Sequence, residues 1–257
     1  RNRLFYVALL AGCVTTVEPD HAWERFRDSA AREVDGRTIY VVEWDLPVTL
    51  DELRDYYDQH VADDGAGTTQ QASTVASTPQ GDDLWSATDR QHLTYCVSDA
   101  FGASKARAVA EMASATRSWE AEAHINFEYA PQHDASCDQF NLGVKFAVRP
   151  WTQGGACAFF PSGSASCTPR TLLMNFTEFD TNPARKLQEP LLTTVGVFRH
   201  ELGHILGLRH EQVQAPNSGG CPPEGMPFRP VTTYDRASVM HYPQCGGFLN
   251  SDQAIST

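Results

Sequence analysis

Three histidines and one glutamate stand close together in the run His200-Glu201-Leu202-Gly203-His204-Ile205-Leu206-Gly207-Leu208-Arg209-His210. A spacing of four puts His200 and His204 on one face of a helix, where two imidazole nitrogens can reach the same metal ion. Glu201, beside them, is within reach of a water held by that ion. Gly207 can take a positive φ, which ends the helix and turns the chain so that His210 brings a third imidazole from outside it. Three neutral imidazoles and one open position are the donor set of catalytic zinc; structural zinc takes four protein ligands. The chemistry this implies is hydrolysis. Zinc lowers the pKa of its water to about 7, and Glu201 takes the proton during attack on a carbonyl and delivers it to the leaving amine.

Met240 follows His210 by thirty residues, in Ser238-Val239-Met240-His241-Tyr242. This run resembles the Met-turn of the metzincin metallopeptidases, where a methionine forms an apolar floor beneath the metal-binding imidazoles. Within that clan the chain is most similar to the astacin-like peptidases. Glu211 directly follows the third histidine, and Tyr234-Asp235 precedes the Met-turn as in that family. Leu84-Trp85-Ser86 followed by Leu93-Thr94-Tyr95 resembles the opening of the family's domain, and Gly155 to Phe160 resembles its substrate-binding edge strand. The resemblance spans Leu84 to Tyr242.

The resemblance implies an α+β zincin domain of metzincin type: a twisted, mixed but mostly parallel five-stranded sheet, a backing helix and an active-site helix. It implies one catalytic zinc held by His200, His204 and His210, Glu201 as general base and acid, and Tyr242 as a further ligand or oxyanion-stabilising hydroxyl. Glu211 would pair with a mature N-terminus freed by cleavage before Leu84; the alternative for it is a solvated helix-end carboxylate. An acid in the preceding region, such as Asp45, would cap the zinc before maturation, although many acids there qualify equally. A latency cysteine is excluded, since none occurs between Val14 and Tyr95. The segment from His210 to Met240 is shorter than is typical of astacins, so specificity does not carry over. The sequence stops at Thr257, short of the family's C-terminal helix, and reads as truncated there.

These residues need elements to hold them. Helical patterns run from Trp23 to Arg32, Thr49 to Val61, Ala103 to Ala123 and Leu191 to Leu206. Strand patterns run from Thr38 to Val42, Leu93 to Val97, Asn141 to Val148, Ala156 to Phe160 and Thr171 to Phe176. Residues 62–83 have almost no large apolar side chains and read as a flexible linker. It divides residues 14–61, a propeptide or an accessory region, from a catalytic domain at 84–257.

The 257 residues carry 32 Asp plus Glu against 20 Lys plus Arg, a formal charge of -12. That balance argues against a nucleic-acid partner. The opening RNRLFYVALLAGC reads as an export signal at residues 1–13. Its last four residues resemble a bacterial lipobox that would lipidate Cys13; a plain secretory signal and a buried first strand are the alternatives. Attachment to a membrane would come through that lipid alone. The expected location is the bacterial cell envelope, or outside the cell, with proteins or peptides as substrates.

Six further cysteines, Cys96, Cys137, Cys157, Cys167, Cys221 and Cys245, suit three disulfides in an oxidising compartment. They allow fifteen pairings. Proximity favours Cys157 with Cys167 and Cys221 with Cys245, leaving Cys96 with Cys137. A thiolate zinc site is the competing use, but no C-x-x-C occurs. The rival function is a catalytically silent, zinc-containing envelope protein that binds peptides; an intact Glu201 disfavours it, because a silent site needs no general base.

Overall fold

The computed structural model describes residues 19–42, 45–60, 74–163, 167–181, 192–214, 227–247 and 255. The expected export signal with Cys13, residues 62–73 of the expected linker, and Cys221 lie outside the described residues. No helix among the described residues is long and apolar enough to cross a membrane.

The N-terminal part runs α1 (Pro19–Ala30), β1 (Ala31–Val34), β2 (Arg37–Val42), β3 (Leu46–Val48) and α2 (Leu50–His60). The three strands form an antiparallel sheet in chain order. Helix α2 starts on a capping box: the Thr49 hydroxyl accepts from the Glu52 amide at 3.2 Å, and the Glu52 carboxylate accepts from the Thr49 amide at 2.7 Å. Helix α1 turns Trp23 and Phe26 onto α2, where Trp23 meets the Tyr57 ring edge-on and Phe26 stacks on Tyr56. The first helix ends at Ala30, short of the expected Arg32. Asp35 and Gly36 both take positive φ there and close a tight hairpin that carries residues 31–34 into the sheet.

The expected linker is structured from Thr74 onward. Strands β4 (Thr74–Thr78) and β5 (Gly81–Asp82) form a hairpin, and β4 pairs on its other side with β11 (Phe228–Pro230). Thr74, Val75 and Ala76 are buried despite their small size. Long-range strand pairing orders this segment, which a reading of side-chain bulk cannot detect.

The central sheet holds β6 (Leu93–Val97), β7 (Phe127–Tyr129), β8 (Phe146–Pro150), β9 (Ala156–Cys157) and β10 (Thr171–Met174) in the order β7-β6-β8-β10-β9. Every neighbouring pair is parallel except β9 on β10, so the sheet is mixed and mostly parallel, with an antiparallel strand at one edge. Among the described residues two long helices, α3 (Lys105–Glu122) and α5 (Thr194–Ile205), and the short α4 (Phe176–Thr181) accompany it. Helices α3 and α5 share one core with the sheet, built on Leu93, Met112, Phe146, Phe198 and Leu202.

Some strands are shorter than the sequence pattern. The strand expected from Asn141 starts only at Phe146, because the Arg170 guanidinium draws off the carbonyls of Asn141, Val144 and Lys145. The expected Ala156 to Phe160 strand is confined to Ala156–Cys157, and Phe176 opens α4 where strand was expected to continue. Two disulfides, Cys96–Cys137 and Cys157–Cys167, match the expected pairs. Cys245 is disulfide-bonded as well, while its expected partner Cys221 is one of the residues outside the description.

Candidate metal centre

Helix α5 starts where the Thr193 hydroxyl accepts the Gly196 amide at 3.0 Å, and it carries His200, Glu201 and His204 into the core, all nearly inaccessible. Gly203, on the same helix, faces Met240: a Cβ at Gly203 would lie 2.2 Å from the Met240 sulfur, so only glycine lets the methionine this close. Trp119 of α3 fixes the helix from another side by donating its indole N–H to the Arg199 carbonyl at 2.9 Å. Gly207, at φ +97°, then turns the chain toward His210.

Around this turn four side chains converge. Asp45, His200, His204 and His210 are all buried, and each offers one ligand atom within 4.8 Å of the others. Asp45 arrives from the loop before β3, with its two carboxylate oxygens 3.2 Å from Nε2 of His200 and of His210. Those two Nε2 atoms are 3.1 Å apart. His200 donates its Nδ1 proton to the Val239 carbonyl and His204 donates its own to the Leu208 carbonyl, both at 2.8 Å. These anchors leave the Nε2 lone pairs aimed at the centre.

This donor set fits a cation. The His204 Nε2 atom is buried with no hydrogen-bond partner and faces two further imidazoles and the Asp45 carboxylate. Burial, reinforced by the charges of His210 and His200, pushes the His204 imidazole down to about 3, so it stays neutral and able to bind a metal. The Asp/His3 group could therefore hold a metal ion.

The two carboxylates are driven apart. Burial opposes the charge on Asp45, yet His210 and His200 hold its carboxyl well below the usual carboxylate range. Burial first, and then the charge of Asp45, raises the Glu201 carboxyl well above that range. Glu201 is also left with an unpartnered buried oxygen, Oε2.

Tyr242 closes the site. Its hydroxyl donates to Asp45 and its ring stacks on His200. Its backbone is clamped: the carbonyl accepts the His241 Nδ1 proton at 2.9 Å, and the N–H donates to the Gln212 amide oxygen at 3.2 Å. The Tyr234 hydroxyl in turn donates to His241 Nε2 at 2.6 Å. Glu211 is buried and accepts the Asp235 amide at 2.9 Å, so it is no solvated helix-end carboxylate.

The structure thus gathers His200, His204, His210, Glu201, Met240 and Tyr242, and adds Asp45, which the sequence offered only as one acid among many. The Asp45 backbone carbonyl lies 3.1 Å from the Cys157 sulfur, so the N-terminal loop rests on edge strand β9. Tyr234 and His241 lie in the run that carries the Met-turn resemblance, but nothing in the sequence assigned them or Gln212 a role in holding Tyr242. Neither the protein-family models nor the curated proteins with which the sequence was compared match it.

Proposed function

We propose that this chain is a zinc endopeptidase of astacin-like metzincin type in a latent state, with residues 19–60 lying over the cleft and Asp45 capping the metal position. The observation that carries this reading is the meeting of three imidazoles, two of them preset by their Nδ1 anchors, with Glu201 beside them and Met240 below. Zinc bound there would act as a Lewis acid, making water nucleophilic near neutral pH and polarising a carbonyl.

The chain's own residues do the rest. Glu201 accepts a proton as the nucleophile forms and returns it to the departing amine. Asp45 is one of the two influences that keep Glu201 protonated, so withdrawing Asp45 lowers the Glu201 pKa toward that of a working base. Withdrawal also releases the Tyr242 hydroxyl, which then turns on a fixed backbone to donate to the developing oxyanion. Strand β9 is the edge of the central sheet, and once the N-terminal loop has left it an extended peptide would lie along it. The disulfides support an exported protein, secreted or lipid-anchored through Cys13.

The test is cleavage of a mixed peptide library, read by mass spectrometry, by the zinc-loaded full chain, Asp45→Ala and Glu201→Ala. Cleavage by Asp45→Ala, lost with a chelator and absent in Glu201→Ala, is expected. A zinc-loaded Asp45→Ala chain that binds peptides and cuts none would instead establish the silent binding protein.

A further inference from the structure

His200 and His204 ride on a helix, but His210 sits on a turn that has no regular structure of its own. Three of that turn's backbone polar groups, the Gly207 and His210 carbonyls and the Arg209 amide, are satisfied by residues 74–76, outside the motif and outside its sequence neighbourhood. Ala76 donates its amide to the Gly207 carbonyl at 2.8 Å, and Arg209 donates its amide to the Thr74 carbonyl at 2.6 Å. The Thr74 hydroxyl donates to the carbonyl of His210 itself at 3.0 Å. Val75 and Leu208 form an antiparallel bridge between these bonds.

The same segment closes the turn from a second side. A Cβ on Gly207 would lie 2.1 Å from the Asp83 carbonyl oxygen. Asp83 is held in place by Ser162, whose amide and hydroxyl donate to its carboxylate at 2.7 and 2.6 Å. Trp85 donates its indole N–H to the Ile205 carbonyl at 2.7 Å. The Leu208 carbonyl, which anchors His204, belongs to this braced turn too.

We propose that β4 is a built part of the metal site, with Thr74 and Ala76 as positioning residues for His210. This rests on the metal-site reading above. It moves the boundary of the metal-binding unit: none of the hydrogen bonds just named to the turn comes from residues 19–60, whereas loss of Thr74 removes two of the bonds that aim the third ligand. Maturation must then leave Thr74 in place, ten residues ahead of the Leu84 start that the motif suggested.

The experiment measures zinc affinity of the full chain by competition with a chromophoric chelator, for the parent, Thr74→Val, Thr74→Ser, Thr78→Val and His210→Ala. Valine keeps the shape and the strand but deletes the hydroxyl. Groups that orient a metal ligand typically contribute about 10- to 100-fold in affinity, so Thr74→Val is expected to bind zinc at least about tenfold more weakly, with Thr74→Ser restoring parent affinity. Thr78 bonds only within its own hairpin, to the Gly81 carbonyl, and Thr78→Val is expected to bind as the parent does. Thermal unfolding of the chelated variants separates a misaimed ligand from a damaged fold, and amide exchange at Arg209 in the parent gives a mutation-free reading: slow exchange, as in α5, is expected. Parent-like affinity in Thr74→Val, or fast exchange at Arg209, overturns the role of β4 alone. Failure of the parent to bind zinc, or His210→Ala binding as tightly as the parent, overturns the metal-site reading and this inference with it.

Discussion

Tyr242 donates its hydroxyl to Asp45 across 197 residues of sequence, so one carboxylate engages two imidazoles and the phenol beside them. In the proposed peptidase a substrate carbonyl would have to meet the same groups. Asp45 and substrate therefore compete, and Asp45→Ala is expected to raise peptidase turnover of the full chain. A charge-assisted hydrogen bond contributes about 1.5–3 kcal/mol, which corresponds to an increase of roughly 10- to 100-fold in the open population. Unchanged turnover in the zinc-loaded variant would show that Asp45 is no cap.

Glu201 carries the proton and binds no metal in the proposed mechanism. On the Asp45→Ala background, Glu201→Gln keeps the side-chain shape and is expected to retain zinc at parent affinity while kcat falls about 10²- to 10⁴-fold. Zinc content and kcat measured on one sample check this. A variant that loses zinc along with activity would make Glu201 a ligand.

The metal-free protein should lose stability in mild acid. Burial holds the folded His204 at about 3 and the folded His241 at about 4, against about 6.5 in an unfolded chain. Below that value the unfolded state takes up protons the folded state refuses, so the contribution is complete above about pH 6.5 and shrinks as pH falls toward 4. Glu201 works the other way, because its raised pKa makes the folded state keep a proton that the unfolded chain gives up. Two histidines outweigh one carboxyl across that window. Thermal midpoints of the chelated protein should fall between pH 7 and 5, less steeply in His241→Asn; a flat profile would refute the assignment.

The meeting of the three imidazoles was legible in the sequence because their spacing is local. The four-residue step from His200 to His204, the glycine at 207 and the Thr49 cap each fix their own neighbourhood, and the central sheet follows from alternating apolar residues. What escaped is set by distant partners. Asp45 looks like any other acid until β2 and β3 place it over α5, and Thr74 to Ala76 look like linker until β11 and Leu208 pair with them. The Asp35-Gly36 step is the exception: it is a local hairpin signal that explains why α1 stops at Ala30.

Arg149 on β8 holds both oxygens of Asp35 at the hairpin tip, at 2.7 and 3.0 Å, fastening the N-terminal module to the central sheet. Both side chains are partly exposed, and such pairs contribute about 0.2–1 kcal/mol. The larger holding force is apolar: Val34, Val41 and Ile39 pack in one cluster with Trp151, Leu173 and the Cys157–Cys167 disulfide. Arg149→Ala is therefore expected to raise basal turnover by about 1.4- to 5-fold, an effect that high salt should reproduce in the parent. Val41→Asp puts a charge into the buried cluster and should open the cleft further than Arg149→Ala does. Basal turnover of the two variants side by side checks the order. If Arg149→Ala released the module as fully as Asp45→Ala, the ion pair would be the main fastening and the apolar interface a minor one.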